Sequence, residues 1–167
     1  MLKGIIFDLD DTLYSFKDAE AITMPMLIDY GAKLLHISQE NFIEAFERGK
    51  NRTKDLIKDM APTHERVFFF QYALEYLNLN PYDKLLDLND FYWQHFYQNM
   101  KPFPDALEVL RKLKEKRIAT CLCTDMTAME QYRKVRVLGM DTLLDKMVSS
   151  EEVCIEKPDR RTFLRAL

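Results

Sequence analysis

The chain contains no apolar run long enough to cross a bilayer, no internal repeat and no low-complexity linker, which removes a membrane-spanning segment and a repeat array from consideration. A basic surplus is also missing. The formal net charge of -3 gives no electrostatic footing for nucleic acid or an anionic lipid surface. Cysteine is limited to Cys121, Cys123 and Cys154, an odd number without CxxC spacing, which fits reduced thiols in a cytoplasmic compartment and small buried hydrophobes rather than redox or metal work. Near the amino terminus a single Lys3 and a short apolar stretch reach Asp8 before the core of a signal peptide could form, so a cytoplasmic location is expected.

What is present is ordinary for a globular protein: 167 residues, 47% hydrophobic and 31% charged, enough for about one domain or a small domain with an insertion. The opening is less ordinary. "GIIFDLDDTLY" runs three apolar residues into three aspartates within four positions, and clustered carboxylates cost several kcal/mol each unless something offsets them. Residues 4–10 suit a buried parallel strand that projects Ile6, Asp8 and Asp10 from one side of the pleat.

From about residue 16 to residue 99 the pattern is helical. Ser38 is positioned to cap a helix running toward Met60, Thr63 to cap another through Leu79, and a further helix is expected over roughly 83–100. Eleven of the 20 aromatic residues lie between Val67 and Tyr97, enough for this segment to hold its own core, so 16–99 reads as a separate helical domain inserted between 1–15 and 100–167. After "MKPFP" a helix with Leu107, Leu110 and Leu113 on one face leads into a second strand, "IATCLC", ending at Thr124 and Asp125. A helix closed by Gly139 and a third strand near 147–149 follow, then "CIEKPD". Strands alternating with helices imply an α/β fold with a parallel, Rossmann-like sheet, and such sheets bind ligands at the carboxyl ends of their strands.

That rule places the aspartates, Thr124 and Lys157 together. A carboxylate pair can hold magnesium, a hydroxyl can bind a phosphoryl oxygen, and an ammonium can neutralise charge on the same group. Taken singly, each has a plainer reading: Asp11 as a turn residue, Thr124 and Asp125 as the cap of the next helix, Lys157 as a surface lysine. The helical segment's His36, His64 and His95 carry no nucleophile motif, and Arg48, Lys50 and Arg52 read as a solvated face.

"DLDDTLY", "CTD" and "EKPD", in that order, resemble the motifs of the haloacid dehalogenase-like hydrolase superfamily, in the branch of phosphatases and nucleotidases with a helical cap inserted after the first motif. The resemblance implies that Asp8 attacks phosphorus and becomes an aspartyl phosphate, while Asp10 protonates the leaving oxygen and later activates water. It implies that Thr124, Asp125 and Lys157 bind the phosphoryl group, Lys157 also steadying Asp8, and that Mg2+ is held by the Asp8 carboxylate and the Asp10 main-chain carbonyl. A small phosphate monoester, nucleotide or sugar phosphate, is the implied substrate, with no nucleic acid or membrane partner. A haloacid dehalogenase would lack the second aspartate. A phosphosugar mutase, or a non-catalytic remnant binding phosphate or a protein partner, are the alternatives.

Three positions depart from the family pattern: Asp11, Met126 and Cys154 stand where glycine or a small residue is common. A fourth acidic motif is also missing. After Lys157 only "PDRRTFLRAL" remains, where a helix, loop and strand of about 20 residues would be needed to deliver it. The 167 residues are therefore expected to be the amino-terminal part of a longer protein, with strand 4–10 left as an apolar edge.

Overall fold

The computed structural model describes residues 2–167. In chain order the elements are β1 (Gly4–Phe7), α1 (Phe16–Leu35), α2 (Gln39–Leu56), a 3-10 turn (Ala61–His64), α3 (Arg66–Tyr76), α4 (Pro81–Asn99) and α5 (Ala106–Glu115). They continue with β2 (Ala119–Thr124), α6 (Ala128–Val137), β3 (Lys146–Ser149), α7 (Ser150–Val153) and α8 (Arg160–Ala166). The chain divides into two compact units: one holds the residues through Asp18 with Asp59–Ala61 and Met100–Leu167, the other Ala19–Lys58 and Pro62–Asn99.

The first unit is built on a parallel sheet in the order β1-β2-β3. β2 is central and buried from Thr120 through Thr124, as a strand covered on both faces must be. β1 pairs with it in the register Gly4↔Ala119 to Phe7↔Leu122, and β3 from Cys121↔Lys146 to Thr124↔Ser149. Leu110 of α5 is wholly buried, and α5 and α8 pack on β2. β1 is an edge strand whose Ile6 is exposed.

β1 is shorter than the expected strand over 4–10. The Leu9 carbonyl accepts hydrogen bonds from the N–H groups of Thr12 (3.2 Å) and Leu13 (3.0 Å), so the chain turns immediately beyond Asp8. Asp11 takes the left-handed conformation at φ 57°, which aspartate tolerates better than most residues. Asp8 and Asp10 therefore do not alternate on a pleat; they sit in a turn at the strand's carboxyl end.

In the helical unit, Ser38 caps α2 by accepting the Asn41 N–H (3.2 Å). Thr63, expected to cap the next helix, lies in the 3-10 turn and donates to the Ile57 carbonyl; α3 starts at Arg66. Phe42, Phe46, Phe69, Phe70, Trp93 and Phe96 make the aromatic core. Helices α2 and α3 approach closely at Gly49, where a Cβ would lie 2.1 Å from the Phe69 carbonyl oxygen and 2.8 Å from the Ala73 nitrogen. Both are main-chain atoms and cannot swing aside. Gly49→Ala is therefore expected to destabilise the protein by about 2–3 kcal/mol through overpacking, measured by urea unfolding.

Candidate active site

Asp8 follows β1 directly, and its Oδ1 accepts from the Lys157 ammonium at 2.6 Å. Lys157 is held from two further sides: its Nζ donates to the Cys123 carbonyl (3.0 Å) at the end of β2, and its main-chain N–H donates to Asp125 Oδ1 (2.9 Å). The Asp125 carboxylate also lies 3.8 Å from the ammonium. Asp8, Asp125 and Lys157 thus form one ion cluster across the carboxyl ends of β1 and β2. The other Asp8 oxygen is 3.4 Å from the Thr12 hydroxyl, and the side chain is 40% exposed, open to a ligand.

Asp10 turns elsewhere. The Lys134 ammonium of α6 donates to both its oxygens, at 2.8 and 3.1 Å, the Tyr14 hydroxyl donates to Oδ1, and Gln131 Nε2 lies 3.2 Å from Oδ2. The same Gln131 nitrogen reaches Thr124 Oγ1 (2.8 Å) and the Asp125 carbonyl (2.6 Å). Gln131 therefore joins the two halves, and Asp8, Asp10, Thr124, Asp125 and Lys157 belong to one hydrogen-bonded network. Burial, the largest influence on Asp10, works against its ionised form, but the Lys134 charge and the hydrogen bonds from Lys134, Tyr14 and Gln131 outweigh it and hold the carboxyl below its usual range.

Lys134 and Gln131 were not singled out by the sequence reading, though a signal exists. Gln131 falls four residues before the buried Val135 and Lys134 four before the buried Leu138, so both occupy the stripe that should be apolar. Thr124 does not cap α6 either; Thr127 is the residue at that helix's start, and the Ala128 N–H is met by Glu151 (2.8 Å). Cys121 and Cys123 are buried, whereas Cys154 is exposed, contrary to its expected role as a buried hydrophobe. The three positions where glycine or a small residue is common, Asp11, Met126 and Cys154, have φ of 57°, 97° and 56°. Each needs the backbone region that glycine enters freely.

Glu156 lies beside the cluster and donates its main-chain N–H to the Asp59 carbonyl (3.2 Å). Burial, then the Asp125 and Asp59 carboxylates, push its carboxyl from 4.5 up to about 7, with Lys157 opposing. Between those two values the folded protein binds more protons than the unfolded chain, so stability falls as pH rises through that window. Glu156→Gln is expected to flatten this fall and to leave the variant more stable than the parent above neutrality, compared in urea melts at about pH 5 and about pH 8.

The family model for haloacid dehalogenase-like hydrolases matches residues 2–167. The ribulose-1,5-bisphosphate 5-phosphatase of Halopiger xanaduensis is 31% identical over 95% of this chain and 67% of its own length. The glyceraldehyde 3-phosphate phosphatase of Methanopyrus kandleri is 26% identical over 99% of this chain and 69% of its own. Among solved structures, a 2-haloacid dehalogenase from Pseudomonas syringae superposes with a TM-score of 0.71 at 25% identity, covering all of this chain and 72% of that one. No described helix is long and apolar enough to cross a membrane. With a parallel sheet carrying the aspartate pair, the threonine and the lysine at its carboxyl ends, the chain belongs to the haloacid dehalogenase-like hydrolases.

Proposed function

We propose that the protein is a phosphatase that hydrolyses small phosphate monoesters, sugar phosphates foremost, with Asp8 as the nucleophile. The observation that carries this reading is the split of the aspartate pair: Asp8 is bound by Lys157 and open to a ligand, while Asp10 is held on one side by Lys134, Gln131 and Tyr14. One carboxylate is thus presented for attack and the other held for proton transfer. The sugar-phosphate preference comes from the two phosphatase relatives.

In this reading an Asp8 oxygen attacks phosphorus as the bond to the leaving oxygen breaks, and Asp10, ionised in the free site, relays to that oxygen the proton that the ester monoanion brings in. Lys157 and the Thr124 hydroxyl offset charge on the transferring group, and Lys157 keeps Asp8 aligned for in-line attack. Asp10, again a carboxylate, takes a proton from water, whose oxygen attacks phosphorus and frees Asp8 and inorganic phosphate. A dehalogenase would have no leaving-group proton to deliver, so the presence of Asp10 beside Asp8 favours the phosphatase.

Among the described residues no group of three or more His, Cys, Asp or Glu could hold a metal by itself. Mg2+ does not require one, because it commonly uses one or two protein oxygens and completes its shell with water and substrate phosphate. The Asp8 carboxylate, with one oxygen toward Lys157 and the side chain 40% exposed, and the Asp10 carbonyl are hard donors that fit such a site. When bound, the ion would spread the negative charge of the phosphoryl group.

Phosphate release from a panel of sugar phosphates and nucleotides in magnesium is expected, and a chelator is expected to suppress it. Asp8→Asn should lower turnover by more than about a thousandfold. Unchanged turnover in that variant refutes the nucleophile; conversion of a phosphosugar with little free phosphate points to a mutase.

A further inference from the structure

The Lys134 ammonium sits in a place that a helix normally gives to an apolar side chain. It is wholly buried, and so is Gln131 one turn earlier. Its Nζ faces both Asp10 oxygens, at 2.8 and 3.1 Å, with Met126 Sδ at 3.7 Å. The rings of Tyr14 and Phe16 flank it, with centroids 6.0 and 5.6 Å away. Asp10 itself remains 31% exposed, so the pair is closed on the lysine side and open on the other.

Offsetting the Asp10 charge accounts for a cation nearby, but does not by itself require one that is wholly buried and bound to both oxygens. Proton transfer imposes a stricter demand: the carboxylate must stay within hydrogen-bond reach of the leaving oxygen and then of water, and a displacement of about 1 Å can cost about a hundredfold in rate. A contact to both oxygens removes the rotation of the carboxylate about its own bond. Gln131 adds register, because the nitrogen that touches Asp10 Oδ2 also touches Thr124 Oγ1.

The structure assigns Lys134 as the positioning residue of Asp10, locking the proton-transferring carboxylate in direction while Gln131 ties it to the phosphoryl-binding Thr124. This rests on the phosphatase reading and deepens it. The two fail separately.

The test compares two esters. 2,4-Dinitrophenyl phosphate releases a leaving group that needs no proton, whereas glycerol 3-phosphate releases an alkoxide that does. kcat/KM reports on steps through the first loss of the leaving group. Lys134→Met is expected to lower kcat/KM for the glycerol ester at least about tenfold more than for the dinitrophenyl ester, and Asp10→Asn should show the same split. Combining the two substitutions should lower kcat/KM no further than Asp10→Asn alone, because lysine would then have nothing to position. The double variant also removes the unpaired carboxylate that the single one leaves, so this comparison remains readable if Lys134→Met folds poorly.

Equal losses on both esters, or a further fall in the double variant, would show that lysine acts on the fold and would overturn the assignment. If the parent protein hydrolyses neither ester, the phosphatase reading fails instead. If the parent hydrolyses both and Asp8→Asn abolishes it, an absent split sinks only the role of Lys134.

Discussion

Two carboxylates separated by a single residue can share a crevice only when each is met by its own cation, and that requirement shapes the first unit. Asp8 is met by Lys157 and Asp10 by Lys134, at 2.6 and 2.8 Å. Both lysines come from the far end of the chain, 149 and 124 residues away. Neither pairing is local, so the acidic turn after β1 is compensated only once β2, α6 and the segment after β3 have assembled around it. The sheet that places the lysines is thus the sheet that makes the aspartates tolerable.

Tight reversals near the strands' carboxyl ends deliver the polar atoms. Asp11 after β1, Met126 after β2 and Cys154 after the short α7 all hold positive φ, a conformation that costs a non-glycine residue about 1–2 kcal/mol. Each has a local hydrogen bond. Asp11 Oδ1 accepts from the Lys17 N–H (3.3 Å), the Met126 N–H donates to Ser150 Oγ (2.9 Å), and the Cys154 N–H donates to the Glu151 carbonyl (3.4 Å). At Met126 the side chain contributes as well, placing sulfur 3.7 Å from the Lys134 ammonium. Glycine would relieve the backbone but leave that lysine's pocket unlined.

The parallel sheet was legible in the sequence because apolar runs ending in polar residues recur with helical spacers between them. Asp8, Asp10, Thr124, Asp125 and Lys157 stood out because each follows such a run. The end of β1 was not legible: hydrophobic alternation continues through Leu9, and only the hydrogen bonds accepted by the Leu9 carbonyl show that the strand has stopped. The start of α3 was missed for a related reason, since Thr63 has the chemistry of a cap but spends its hydroxyl on the Ile57 carbonyl. Lys134 and Gln131 escaped because "EQYRK" reads as an exposed, charged helix segment; only counting back from Val135 and Leu138 places them on the inner stripe. Pattern reading takes polarity as a sign of exposure, and that inference breaks where the core is polar by necessity.

Burial of a cation does not by itself mark a site, as the helical unit shows. Arg66 is also buried, with its guanidinium donating to Tyr92 (2.9 Å), Glu20 (3.1 Å) and the His64 carbonyl (2.7 Å), and with the rings of Phe69, Tyr92 and Trp93 within 5.0–5.7 Å. Those partners secure the start of α3 against its neighbours, and a planar fork among aromatic rings is well suited to that. Lys134 differs in what it holds. Its partner is the carboxylate separated from Asp8 by Leu9 alone, and Gln131 connects that carboxylate to Thr124. Arg66 serves a network confined to the helical unit, whereas Lys134 holds one that runs through Gln131 to Thr124 at the carboxyl end of β2.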